Sequence, residues 1–304
     1  MSKVLIGMDK SKSFRVYLTI TTEIVEEARK LHDLSPLACA GLGRVLTGAG
    51  LMSTMLKNES DRMTMIFRGD GPAKQILVCG NGKREIKGYI ANPDVELPLT
   101  KEGKLDVGGS LGIGELTVIK DLGMKEPYTG TIALVTGEIA DDLTAYFFIS
   151  EQQNTSIALG VKVGRERTVL AAGGMFIQML PGATEEAISA LETMLGELSP
   201  LTTLIEETLL TSAGMTEIGL LENLCGRVFA GISEDYKPEV LGYDAVHLRC
   251  DCSKERMEQA LISLGKKELK EIIQTDGRAE LGCHFCGNKY EFTKAELEEM
   301  LLSI

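Results

Sequence analysis

Near its C-terminus the chain carries Cys250-Asp251-Cys252 and, thirty residues further on, Cys283-His284-Phe285-Cys286. No other feature narrows the possible folds as much. Two closely spaced cysteine pairs can close a tetrahedral shell around Zn²⁺ at ~2.3 Å per sulfur, and the stretch between them has room for a helix or two. Gly282 before the second pair and Gly287 after it permit the tight turns that bring neighbouring sulfurs onto one ion. Neither common ferredoxin spacing is present, so zinc is preferred to an iron–sulfur cluster, with His284 as the alternative ligand. The chain has seven cysteines in all, an odd number that does not read as a secreted disulfide framework. Cys39, Cys79, Cys225, His32 and His247 lie in largely apolar surroundings and are expected to be packing residues.

A shell of four thiolates has no open position for water or substrate, which counts against a catalytic Lewis-acid metal. Two uses remain, a permanent staple or a redox switch. Thiolates are the form of cysteine that oxidants attack. Structural zinc contributes on the order of 10–16 kcal/mol to folding, more than the net stability of most small domains, so releasing it would unfold the module. Spacing alone leaves both uses open and favours the passive ribbon.

With 44% hydrophobic and 25% charged residues the chain is globular rather than disordered. Its formal charge of −12 opposes sequence-independent binding to nucleic acid phosphates or anionic lipid. No stretch reaches the ~18 apolar residues of a membrane span, and the apolar run after Met1 is too short for a secretory signal. A cytoplasmic protein is expected. The charge is unevenly spread: residues 1–180 are neutral, 181–235 carry −9 and 236–304 carry −3. Turn-forming residues at Leu180-Pro181-Gly182 and Glu234-Asp235-Tyr236-Lys237-Pro238 mark the changes. Three parts are expected: an N-terminal domain over 1–180, an acidic amphipathic helical linker over 181–235 and a small zinc module over 236–304.

The first part mixes strand and helix signals. Ser35-Pro36 caps a helix running from Leu37 to Lys57, whose interior glycines at 41, 43, 48 and 50 require close packing inside a domain. A membrane span is the rival reading of this helix, opposed by Arg44 at its middle. Strands are predicted at Met63–Arg68, Gln75–Cys79, Glu85–Ile90, Leu116–Lys120, Thr131–Thr136, Ala145–Ser150, Ile157–Val163 and Val169–Leu170. Without regular strand–helix alternation, the fold class is α+β. In the acidic segment, Thr184, Ser199-Pro200 and Thr216 each start a helix with leucines along one face. Such helices cannot comfortably fold alone and must lean on a neighbour.

Other motifs are weak. Gly108-Gly109-Ser110-Leu111-Gly112-Ile113-Gly114 lacks the lysine of a phosphate loop and reads as a turn or bulge. Glu151 has no obvious acid/base partner, and no enzyme signature is present.

The run Arg249-Cys250-Asp251-Cys252-Ser253-Lys254-Glu255-Arg256 with Cys283-His284-Phe285-Cys286 resembles the zinc module of the redox-regulated holdase chaperones of the heat-shock protein 33 family. The likeness extends over nearly the whole chain, through Gly43-Arg44-Val45-Leu46-Thr47, Gly88-Tyr89-Ile90-Ala91-Asn92-Pro93, Lys120-Asp121-Leu122-Gly123, Tyr128-Thr129-Gly130, Ser150-Glu151-Gln152 and Gly173-Gly174-Met175-Phe176-Ile177-Gln178. Leu248 departs from it, standing where an aromatic residue is expected. The resemblance implies an ATP-independent chaperone, inactive when reduced and holding one zinc per chain through Cys250, Cys252, Cys283 and Cys286. Oxidation is then expected to form the disulfides Cys250–Cys252 and Cys283–Cys286, release zinc, unfold the module and linker, and favour a homodimer that holds unfolding client proteins. The competing class is a constitutive zinc ribbon that recruits a protein or nucleic acid, and the net charge of −3 in its segment counts against nucleic acid.

Overall fold

The computed structural model describes residues 1–212 and 214–303. Two compact units divide between Arg249 and Cys250. The first is built on a ten-stranded mixed sheet ordered β7-β6-β3-β4-β5-β10-β1-β2-β9-β8. Its strands are β1 (Ser2–Asp9), β2 (Phe14–Ile20), β3 (Arg62–Gly69), β4 (Gln75–Asn81), β5 (Glu85–Ile90), β6 (Gly114–Asp121), β7 (Tyr128–Ala133), β8 (Thr155–Val163), β9 (Val169–Met179) and β10 (Pro238–Leu248). Neighbours are antiparallel except β10 and β5, which run parallel. The α+β expectation agrees with this architecture.

Alternation of side chains along β1, β2 and β9 sends neighbouring residues to opposite faces. Val4, Tyr17 and Phe176 join a core with α1 (Thr22–His32), α2 (Pro36–Ser53) and α4 (Ala140–Ile149). Leu5, Val16, Leu18 and Ile177 join a second core with α5 (Glu185–Glu197), α6 (Leu201–Thr211) and α7 (Glu217–Val228). The acidic segment therefore has the support that its sequence demands. Thr184 and Thr216 cap α5 and α7 through their hydroxyls, as expected, whereas Pro200 stands at the N-cap of α6 without a side-chain bond.

The predicted strands at Met63–Arg68, Gln75–Cys79, Glu85–Ile90, Leu116–Lys120 and Ile157–Val163 fall on β3, β4, β5, β6 and β8. The helix from Ser35-Pro36 is α2, buried along almost its whole length, and no described helix is long and apolar enough to cross a membrane. A Cβ at Gly43 would meet Val25 at 2.6 Å and Val161 at 2.9 Å, so glycine is what lets α1 and β8 approach. The predicted strand Ala145–Ser150 is instead the end of α4. Buried Asp142 decides this: its carboxylate accepts the backbone N–H of Val135 at 2.7 Å, Thr136 at 3.2 Å and Ile139 at 3.0 Å, which fixes the helix start. The glycine run at 108–114 holds the short helix α3 (Val107–Leu111), closed by Gly112 at a φ of 70°.

Residues 238–248, which composition groups with the C-terminal part, form the strand β10 of the large sheet. Charge composition carries no information about this pairing. The second unit holds α8 (Lys254–Ser263), α9 (Lys266–Thr275), the hairpin of β11 (Arg278–Gly282) and β12 (Lys289–Thr293), and α10 (Lys294–Ser303). Its fully buried apolar residues are Leu261, Leu269, Phe292, Leu297 and Met300.

Candidate metal centre

Local structure places each cysteine. Cys250 and Cys252 lie in the irregular stretch after β10, which ends where the Ser253 hydroxyl accepts the Arg256 N–H and starts α8. Cys283 and Cys286 occupy the tight connection between β11 and β12. There the Cys283 N–H donates to Asn288 at 2.9 Å and the Gly287 N–H to Cys283 at 2.8 Å. Gly287 has a φ of 70°, so the turn uses the left-handed conformation its sequence predicts. Gly282 does not: it is the last residue of β11, paired with Lys289 in extended backbone.

The four sulfurs lie within 4.8 Å of one another. Cys250 and Cys283 are 3.7 Å apart and Cys252 and Cys286 3.2 Å, both beyond disulfide length, so the four sulfurs of the cluster are reduced. A tetrahedron of sulfurs ~2.3 Å from one ion has edges of ~3.8 Å, so the cluster has the size of a metal shell. Among the described residues it is the only such group, and the His284 ring is outside it.

Electrostatics point the same way. Burial pushes the Cys250 thiol far up and raises Cys286 as well. At Cys252 burial also pushes upward but is outweighed by hydrogen bonds from Tyr290 and the neighbouring thiols, so its thiol falls to about 7. Cys252 gives up its proton readily, whereas burial disfavours the charged form of Cys250 and Cys286. A divalent cation at the centre offsets that penalty. The residues present therefore fit a metal ion held by four sulfurs.

Tyr290, which sequence reasoning passed over, donates its hydroxyl to the Cys252 sulfur at 3.1 Å. An aromatic hydroxyl soon after the second cysteine pair is the only signal for it, and that signal is faint. Around the cluster, Arg256 pairs with Asp251, and Lys254 pairs with Glu296 at 2.6 Å while lying over the Phe292 ring at 5.2 Å. These contacts pin α8 to β12 and α10 within the unit.

The remaining cysteines stay apart from it. Cys39 is buried in α2, Cys225 is buried in α7 and Cys79 lies in β4. Burial raises the Cys39 thiol to about 12 and the Cys225 thiol to about 11, as suits packing residues. Glu151 has partners that the sequence did not reveal: Lys120 at 2.7 Å and the Tyr146 hydroxyl at 2.5 Å.

Comparison with known proteins gives one consistent result. Residues 2–293 match the family model described as Hsp33 protein. The 33 kDa chaperonin of Alkaliphilus oremlandii is 44% identical over 298 residues, covering 98% of this chain and 95% of that one. The 33 kDa chaperonin of Caldanaerobacter subterraneus subsp. tengcongensis is 42% identical over 286 residues, covering 94% and 92%. The crystal structure of the 33 kDa chaperonin from Thermotoga maritima superposes with a TM-score of 0.84 at 33% identity, over 99% of this chain and 98% of that one.

Proposed function

Because the chain belongs to the Hsp33 protein family, we propose that it is an ATP-independent holdase, kept inactive by zinc on Cys250, Cys252, Cys283 and Cys286 and activated when those sulfurs are oxidised. As a member of that family it is a chaperone rather than an enzyme, with a cysteine cluster able to bind a metal. Zinc, when bound, keeps all four sulfurs as thiolates, the form that peroxide attacks.

Each activating step consumes one peroxide. Two thiolates lose two electrons and join as a disulfide, the O–O bond breaks, and two protons are taken up to give two waters. The products proposed are Cys250–Cys252 and Cys283–Cys286. Their loops are so short that they leave the two halves of the unit untethered. The observation that carries this reading is the convergence of four sulfurs in a unit whose buried apolar cluster, among the described residues, is five side chains. A core that small needs its staple.

The working parts are then the core over 1–180, the acidic segment over 181–235 and the C-terminal part over 236–304, whose strand β10 belongs to the large sheet and whose cysteine-bearing unit starts at Cys250. Once released, α5, α6 and α7 offer Leu191, Leu201, Ile205, Leu221 and Leu224 to unfolding clients, while the −9 charge of their segment keeps the complex in solution. The active form is a homodimer and the setting is the cytoplasm, where the resting state stays reduced.

The test treats zinc-loaded protein with peroxide, follows metal release with a chromogenic chelator, maps disulfides by non-reducing peptide analysis and measures aggregation of a heat-unfolding client without nucleotide. The expected result is joint zinc release and gain of holding activity. Zinc retention, or equal activity before and after peroxide, defeats the switch and leaves a constitutive zinc ribbon.

A further inference from the structure

The sheet of the first unit is two half-sheets joined at one place. β10 pairs with β1 along its length, from Pro238 opposite Asp9 to Val246 opposite Ser2. Its pairing with β5 is only His247 with Glu85 and Leu248 with Ile86. Ladder bonds at this join include those from the His247 N–H to Arg84 and from the Arg249 N–H to Ile86, each 2.9 Å.

Side chains reinforce this short join. Asp244 accepts the Arg84 guanidinium at 3.1 Å, and Arg249 reaches Glu85 at 3.0 Å. Both side chains of the first pair are about 70% covered, whereas the Arg249 side chain is 70% exposed, so the Asp244 pair is the stronger. Between them Val246 is fully buried, and a Cβ at Gly50 of α2 would lie 3.2 Å from it. The residue after Arg249 is Cys250.

The same strand holds α7. The Tyr243 hydroxyl donates to Glu222 of α7 at 2.6 Å. A second polar fastener of α7 to the sheet is Glu217, which accepts the Lys3 N–H of β1. Tyr243 lies opposite Leu5 and Ala245 opposite Lys3, so both fasteners stand on one short stretch of the β1–β10 ladder. If the end of β10 frays, one fastener goes and the other loses the strand beside it.

We propose that Asp244 to Arg249 form a clasp, the part of the chain through which the state of the cysteine cluster reaches α7: while the clasp is closed on β5, Tyr243 keeps α7 docked, and when it opens α7 is released. This deepens the switch reading by naming the route between the cysteines and the acidic segment. It rests on that reading for its purpose. The coupling itself, from clasp to helix, exists in the reduced protein whether or not the cysteines are a switch.

The deciding experiment is therefore amide hydrogen exchange on reduced, zinc-loaded, full-length protein, comparing wild type with the double variant Asp244→Asn, Arg249→Gln and with Tyr243→Phe. The double variant is expected to speed exchange in α7 about fivefold, the worth of roughly one lost hydrogen bond, with unchanged zinc content and unchanged exchange in α8 to α10. Tyr243→Phe is expected to do the same in α7 while leaving the His247 and Arg249 amides protected. Exchange in α7 equal to wild type in both variants overturns the clasp. So does acceleration spread evenly over α1, α2 and α7, which marks general destabilisation. Failure of the switch reading shows separately, in the peroxide and zinc-release assay.

Discussion

The sulfurs of Cys250 and Cys283 stand 3.7 Å apart across 33 positions of sequence. They bring together the irregular stretch that follows β10 and the turn of the β11–β12 hairpin. Cys283→Ser should therefore abolish tight zinc binding, lowering the metal content from one per chain to none after dialysis against a chelator. A loss on the order of 10 kcal/mol of metal-linked folding energy should also remove amide protection from α8 to α10. If Cys283→Ser holds zinc as tightly as wild type, the ligand set is wrong.

Cys39 and Cys225 serve as reporters of which part comes loose. Burial raises their thiols to about 12 and about 11, so both stay protonated and shielded near neutral pH. Alkylation of the reduced protein at mildly alkaline pH, read by mass spectrometry, should label neither. After peroxide and gentle warming Cys225 should become labelled and Cys39 should not. Equal labelling of both would show the α2 core opening with the acidic segment and would remove the distinction between them.

Gly196 in α5 and Gly226 in α7 have open space where a Cβ would go. Alanine at each should stabilise its helix by about 1 kcal/mol. Helices that cling harder to the sheet should raise the temperature at which the oxidised protein begins to suppress client aggregation. An unchanged or lowered onset would mean that release of α5 and α7 does not limit activation.

Glu26 gives the first unit an acid-sensitive fastener. The hydrogen bond from Arg29 holds its carboxyl down to about 2, against the opposing effect of burial, and it also accepts the Val169 N–H of β9 at 3.0 Å. A carboxyl lowered in the folded state contributes stability above its ordinary range, and that contribution fades as pH falls towards the folded value. Glu26→Gln should cost roughly 2 kcal/mol at neutral pH. The gap in melting temperature from wild type should narrow steadily below about pH 4.5. A gap that stays constant down to acid pH would show that the carboxylate charge is not what matters.

Much of this was legible in the residues. The cysteine spacing identified the cluster, and the capping threonines and leucine faces located α5 and α7 because those signals are local. Ala145–Ser150 misled because Tyr146-Phe147-Phe148-Ile149 has strand composition, while the helix is imposed by Asp142 through loop amides upstream. β9 was seen only at its first residues because Ala171-Ala172-Gly173-Gly174 has poor strand propensity. Those glycines serve contact instead: a Cβ at Gly173 would meet Ile205 of α6 at 2.5 Å, and one at Gly174 would meet Leu159 at 2.6 Å and Thr47 of α2 at 2.8 Å. β10 was missed for a third reason. Mostly half-exposed, it lacks a clear alternation, and its partners β1 and β5 lie far back in the chain.

β10 is the last strand of the large sheet to be synthesised and the one at its middle. A nascent chain emerging from the ribosome thus makes two half-sheets early, with the facing edges of β1 and β5 both bare. Those edges wait through the synthesis of the whole acidic segment before Pro238–Leu248 arrives to seal them. Until then this chaperone carries the kind of unpaired strand edge that invites aggregation, and is briefly in the condition of the clients it is proposed to hold.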